Sequence, residues 1–230
     1  MPYSRMTRIL AIRHGETAWN VDTRIQGQLD VGLNEVGRRQ AELAARHLAD
    51  EDLAAVYSSD LQRAHDTAQA LARAQRSGLV VQADTGLRER RFGVFEGKTF
   101  AEIDAEHPEL ALRWKRREPD FGAPGGETLA EFYARCVATA TRLAAAHAGQ
   151  TIALVTHGGV LDCLYRAATR AELNAPRTWQ IGNTSINRLL WTDDGFTLVG
   201  WGDTQHLDLL EQVEHLDGAL DETSDGCRAG

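Results

Sequence analysis

The chain has 230 residues, 43% of them apolar, with 25 Lys+Arg against 33 Asp+Glu and a formal net charge of -8. This is a globular balance with chain enough for one large core, and it excludes collagen-like, low-complexity and strongly disordered classes. The acidic sign disfavours nucleic acid as a partner, and no apolar run approaches the roughly 18 residues of a membrane span, so no membrane partner is expected either.

The opening stretch, Met1 to Thr7, has no apolar run before a small-residue cleavage site, so no secretory signal is expected and the cytoplasm is the expected compartment. From Thr7 to His14 the run Ile9-Leu10-Ala11-Ile12 is short, continuous and apolar, as in a strand buried within a parallel sheet. Asn34 then caps a helix with Val36, Leu43, Ala44 and Leu48 on one face. Leu53 to Tyr57 reads as a second buried strand, and Ser59 or Asp60 caps the following helix, whose face carries Leu61, Ala64, Ala68 and Leu71. Thr99 to Gly126 breaks the alternation. Short helical pieces, the basic run Arg113-Trp114-Lys115-Arg116-Arg117, Pro119 and Pro124 predict a lid over one end of the sheet.

Thr128 and Glu131 fit a capping box for a long helix through Phe132, Val137 and Leu143, ending before Gly149. Thr151 to Val155 is the third buried strand. Asn183 to Thr192 and Phe196 to Trp201, separated by Asp193-Asp194-Gly195, predict a hairpin, whose edge could pair in a homodimer. Strands alternating with helices imply right-handed crossovers: an α/β three-layer sandwich with a mostly parallel central sheet flanked by helices. One domain over 1–213 is expected, with the lid at about 99–126 and a disordered acidic tail over 214–230. Cys136, Cys163 and Cys227 show no CxxC spacing and read as reduced thiols, and no histidine spacing suggests a metal.

Two of the buried strands end alike, in Arg13-His14-Gly15 and in Thr156-His157-Gly158-Gly159. In an open parallel sheet, ligands bind outside the carboxyl ends of the strands, so both imidazoles should meet at one site. Glycines there let backbone N–H groups approach an anion. Arg63 begins the helix after the second strand and faces the same edge. Guanidinium donors match phosphate oxygens, so Arg13 and Arg63 flanking two histidines predict a phosphoryl pocket.

These motifs, together with Glu16-Thr17, Trp19-Asn20, Gln26-Gly27, Ser58-Ser59-Asp60-Leu61-Gln62-Arg63-Ala64 and Leu87-Arg88-Glu89, resemble the histidine phosphatase superfamily, which includes the cofactor-dependent phosphoglycerate mutases. The resemblance covers about Thr7 to Leu207 and implies a phosphoglycerate mutase-like fold. It implies His14 as nucleophile, Arg13, Arg63 and His157 as the phosphoryl clamp, and Glu89 as proton donor, with Asn20, Gln26 and Gly27 lining the pocket. Gly158 and Arg90 join the substrate-binding set. An imidazole with one bare nitrogen can attack phosphorus in line, and fixed cations, including a protonated His157, can match the charge on the equatorial oxygens without a metal or cofactor. A carboxylic acid kept protonated beside a dianionic substrate can supply the leaving alkoxide with its proton.

Phosphatase and mutase share the first half of this chemistry and differ in the second acceptor. The interval between Glu89 and His157 is shorter than in the mutases resembled, and Phe92 stands where they have a tyrosine. Gly125-Gly126-Glu127-Thr128 points the same way. Phosphomonoester hydrolysis is therefore expected on a small acidic phosphate ester, drawn in by Arg90, Arg91 and the lid cations Arg113, Arg116 and Arg117. The alternatives are a cofactor-dependent phosphoglycerate mutase and, further off, a catalytically silent protein that binds a phosphorylated ligand.

Overall fold

The structure, a computed structural model, describes residues 6–76 and 78–208. In chain order its elements are β1 (Thr7–Arg13), α1 (Ala18–Val21), α2 (Glu35–His47), β2 (Leu53–Ser58), α3 (Gln62–Ala74), β3 (Val81–Ala83), α4 (Phe100–Glu106), α5 (Pro108–Lys115), α6 (Leu129–Ala145), β4 (Thr151–Thr156), α7 (Gly158–Thr169), β5 (Ile186–Thr192) and β6 (Gly195–Asp203). One six-stranded sheet runs in the order β3-β2-β4-β1-β5-β6. The first four strands in that order are mutually parallel, while β5 runs antiparallel to β1 and β6 forms the edge. The expected tail over 214–230, with Cys227, lies outside the described residues.

Side chains alternate across a strand, and here the alternation divides the core in two. Ile9 and Ala11 of β1 join Ile152 and Leu154 of β4 on one face, where α6 and α7 contribute Phe132, Leu143, Leu161 and Leu164. Leu10 and Ile12 join Ala153 and Val155 on the other, against Leu48 and the Ala64, Ala68 and Leu71 face of α3. Every residue of β4 is buried, which explains its unbroken apolar run. Each large apolar side chain buried this way contributes roughly 1.5–3 kcal/mol, so two covered faces hold the sheet edge rigid.

Most helix starts follow local chemistry. Asn34 accepts from Gly37 N at the start of α2, and complete capping boxes form at Thr99/Glu102 and Thr128/Glu131. The start of α3 departs from expectation. Leu61 occupies the cap position without a side-chain bond, and the Asp30 carboxylate accepts from Gln62 N at 2.7 Å. Asp60 is unavailable because Arg88 holds both its oxygens, at 2.7 and 2.5 Å, while Ser59 Oγ takes only Leu61 N.

The 99–126 segment packs its own small cluster, with Ile103, Ala111, Phe121 and Ala123 against Phe95 and Ile25. It is fastened to the body from both sides. Arg117 donates to the buried Asp162 of α7 at 2.8 Å and to Leu173 O at 2.9 Å, and Arg90 donates to Phe121 O at 2.6 Å and Glu127 O at 2.9 Å. Among the described residues no helix is long and apolar enough to cross a membrane.

Candidate active site

The carboxyl ends of β1 and β4 are adjacent because the two strands pair in parallel, Arg13 beside Thr156. One residue further on, His14 and His157 bring their rings to 5.2 Å between centroids. Arg63, in the first turn of α3, comes from the end of β2 on the far side of β4. Three strand ends thus deliver two imidazoles and two guanidiniums to one place. His14, Arg63 and His157 are at most 3% exposed.

The His14 Nδ1 lies 2.7 Å from Gly15 O. A carbonyl oxygen can only accept, so Nδ1 carries the proton and Nε2 of the neutral ring is bare. Burial, followed by the charges of Arg63 and Arg13, holds His14 well below the ordinary histidine range. Burial, Arg63, His14 and Arg13 do the same to His157. Burial first, and the guanidiniums after it, favour the neutral His157 ring, and a dianion of opposite sign is what would favour the protonated form expected from the sequence.

The guanidiniums are anchored at one end and free at the other. Arg63 donates to Leu29 O at 2.9 Å and Gly27 O at 2.8 Å, and Arg13 donates to Ile181 O at 2.7 Å. The Nε atoms of both arginines, both ring nitrogens of His157 and Oε1 of Gln26 are buried without a hydrogen-bond partner among the described residues. Buried polar groups are nearly always paired, so the unpaired guanidinium N–H groups of Arg13 and Arg63 and one ring N–H of His157 mark a place for an anion, while Gln26 Oε1 can only accept. Burial lowers Arg63 to about 10, which leaves it charged at neutral pH.

Glu89 closes the site from a separate segment. Its Oε2 accepts from Gly159 N at 2.9 Å and its Oε1 from Arg90 N at 2.7 Å. A Cβ on Gly159 would overlap Glu89 Oε1, so the start of α7 must be glycine for this approach. Thr156 Oγ1 donates to Leu87 O, and Arg135 donates to Gly86 O, Arg88 O and Glu89 O, holding the carboxylate segment in place.

Arg13, His14, Arg63, Glu89 and Gly159 line a cavity of about 370 Å³, together with Asn20, Gln26, Gly27 and Gly158, whereas His157, expected in the clamp, lies fully buried behind this wall against the His14 ring. Arg90, expected in the substrate-binding set, is not in its wall, because its guanidinium is committed to two backbone carbonyls. Neither Arg91 nor Arg113, Arg116 or Arg117 lines it. Arg113 pairs with Glu118 at 2.6 Å instead. Of the minor candidates, Glu16 Oε1 accepts from Asn34, and Thr17 caps α1 with Asn20. Cys136 and Cys163 are buried free thiols.

Other parts of the site have no local signal in the sequence. Asn183 donates to His14 O at 3.0 Å, and Thr184 N donates to Arg13 O at 3.1 Å. Thr184 adopts φ 53°, rare for a β-branched residue, and its hydroxyl lies 3.1 Å from Nε2 of the buried His206. Arg24, Phe100, Trp114, Arg177 and Ile181 also line the cavity, beside Trp19 of the Trp19-Asn20 motif. Among the described residues no group of three or more His, Cys, Asp or Glu side chains could hold a metal ion.

Comparison with known proteins agrees with this geometry. The family model described as "Histidine phosphatase superfamily (branch 1)" matches residues 9–204. The chain is 42% identical over 203 residues to phosphoglycerate mutase-like protein 4 of Arabidopsis thaliana, covering 87% of this chain and 86% of the relative. It is 36% identical over 206 residues to a metal-independent phosphoserine phosphatase of the same plant, covering 89% and 84%. Among solved structures, a mycobacterial glucosyl-3-phosphoglycerate phosphatase in complex with VO3 superposes with a TM-score of 0.76 at 35% identity, covering 85% of this chain and 98% of the other.

Proposed function

The chain belongs to the histidine phosphatase superfamily, and from that premise we propose that it hydrolyses small phosphate monoesters, without a metal, through a phosphohistidine formed on His14. The observation that carries this reading is the bare Nε2 of a buried, neutral His14 beside the unpaired donors of Arg13, Arg63 and His157.

In the first step the Nε2 lone pair attacks phosphorus in line and the bond from phosphorus to the ester oxygen breaks. The Nδ1–H bond to Gly15 O fixes the ring and shares the positive charge that forms on it. Arg13 and Arg63 face the equatorial oxygens with donors that need no reorganisation. The dianion draws a proton onto His157, which then donates as well. Glu89, in its protonated form, gives its proton to the leaving alkoxide. In the second step water attacks the phosphohistidine, Glu89 takes a proton back, and phosphate leaves with Nε2 restored.

The name of the Arabidopsis mutase-like relative supports a second reading, in which a substrate hydroxyl replaces water. The phosphatase names of the plant and mycobacterial relatives support hydrolysis, and so does the short interval carrying the lid. A panel of phosphomonoesters, with phosphate release measured beside interconversion of 3- and 2-phosphoglycerate, separates them. Release is expected to dominate; isomerisation much faster than release would make the protein a mutase.

A further inference from the structure

Beyond the phosphoryl clamp the cavity continues to a rim that the chemistry above does not use. Phe100 and Trp114 stack there, 5.1 Å apart and 3° from parallel, and Phe100 keeps 53% of its surface exposed. Arg177 lines the same space, is exposed, and has no hydrogen-bond or ion-pair partner among the described residues. Its backbone is nonetheless tied down on both sides. Upstream, Arg166 donates to Glu172 O and Ala175 O, and Arg117 donates to Leu173 O. Downstream, Trp179 stacks on Tyr165 at 3.8 Å and Trp201 Nε1 donates to Gln180 O at 3.0 Å. A loop fixed this way presents its guanidinium with little left to order on binding. The positive charge of Arg177 is felt at Arg13, so an anionic group between cavity and rim relieves repulsion as well as making contacts.

We propose that this rim is a second subsite, selecting phosphate monoesters whose alcohol part carries a carboxylate, held by Arg177, beside an apolar or ring face laid against Phe100 and Trp114. The planar guanidinium matches a carboxylate with two parallel bonds, and the exposed Phe100 ring beside the half-buried Trp114 takes flat or C–H surfaces. The subsite rests on the hydrolytic reading above and names its substrate class. It also moves acid selectivity from the lid cations, whose side chains lie elsewhere, to a residue on the opposite side of the chain's motif region.

Two matched probe pairs test it: 3-phosphoglycerate against glycerol 3-phosphate, and 4-carboxyphenyl phosphate against phenyl phosphate. In Arg177→Gln the preference in kcat/KM for the carboxylate member of each pair should fall about tenfold, mostly through KM, and Arg177→Lys should restore part of it. Phe100→Ala should lower kcat/KM for both aryl probes by about threefold while the carboxylate preference stands. A wild-type protein that releases phosphate from none of the four probes overturns the hydrolytic reading, and this subsite with it. Phosphate release with a carboxylate preference that Arg177→Gln leaves intact, or with no preference at all, overturns the subsite alone.

Discussion

The inner end of the cavity and its rim are built by opposite rules. At the inner end, His14 and Arg63, backed by His157, sit at strand ends and in a first helical turn, at most 3% exposed, on a sheet covered on both faces. At the rim, Phe100 and Trp114 ride on helices of seven and eight residues and Arg177 stands in an irregular loop. Rigid scaffold holds the groups that must meet developing charge, where a displacement of an ångström is expensive. Short, exposed elements carry the proposed subsite, where variation need not disturb the chemistry.

If that division is right, substitutions at the inner end should act on turnover and those at the rim on selectivity. The largest effect should come from His14→Ala, which removes the nucleophile and is expected to reduce kcat by at least about 10⁴-fold in a phosphate-release assay. Glu89→Gln comes next. It should slow alkyl phosphates by about 10²–10⁴-fold and aryl phosphates with good leaving groups far less, because only poor leaving groups need the proton. Equal loss for both classes would remove Glu89 from the acid role and leave the inner end without a proton donor.

Smaller effects follow from the neutral histidines. His14 is held well below the ordinary range, so the acid limb of kcat/KM, corrected for ionisation of the probe, should lie below about pH 6.5 rather than at it. Stability shows the same sign. His206, packed under Thr184, is lowered to about 4, first by burial and then by the charge of His47. Between about pH 6.5 and about 4 the unfolded chain therefore binds more protons than the folded one, and stability falls as pH falls through that window. The fall in melting temperature from pH 7 to pH 5 should be shallower in His206→Asn than in the wild type. The smallest effect belongs to the lid cations. Arg113→Gln and Arg116→Gln should change KM for acidic esters by less than about twofold, since neither side chain reaches the cavity.

The same division decides what could be read from the sequence. β1, β2 and β4 announce themselves because strands covered on both faces must be apolar throughout, and the dipeptides after β1 and β4 place the two histidines by topology alone. β3 escapes notice: it has three residues, two of them exposed, and so no apolar run. The cap of α3 comes from Asp30, more than thirty residues upstream, and local capping rules cannot find it. Arg90 shows why adjacency to Glu89 misleads. One backbone step sends the carboxylate to Gly159 and the guanidinium to Phe121 O and Glu127 O. Arg135, Asn183, Thr184 and Arg177 reach the site only through tertiary packing. The inner chemistry is legible in contiguous motifs, whereas the bracing and the rim are assembled from distant segments.

In the proposed reaction the phosphoryl group passes through His14. Rapid quenching during turnover of a phosphate-labelled ester should trap a phosphoprotein that survives base and is lost in acid. Peptide mapping should place the label on His14, and His14→Ala should show none. Steady phosphate release with no such species, or a label that persists in His14→Ala, would contradict the account.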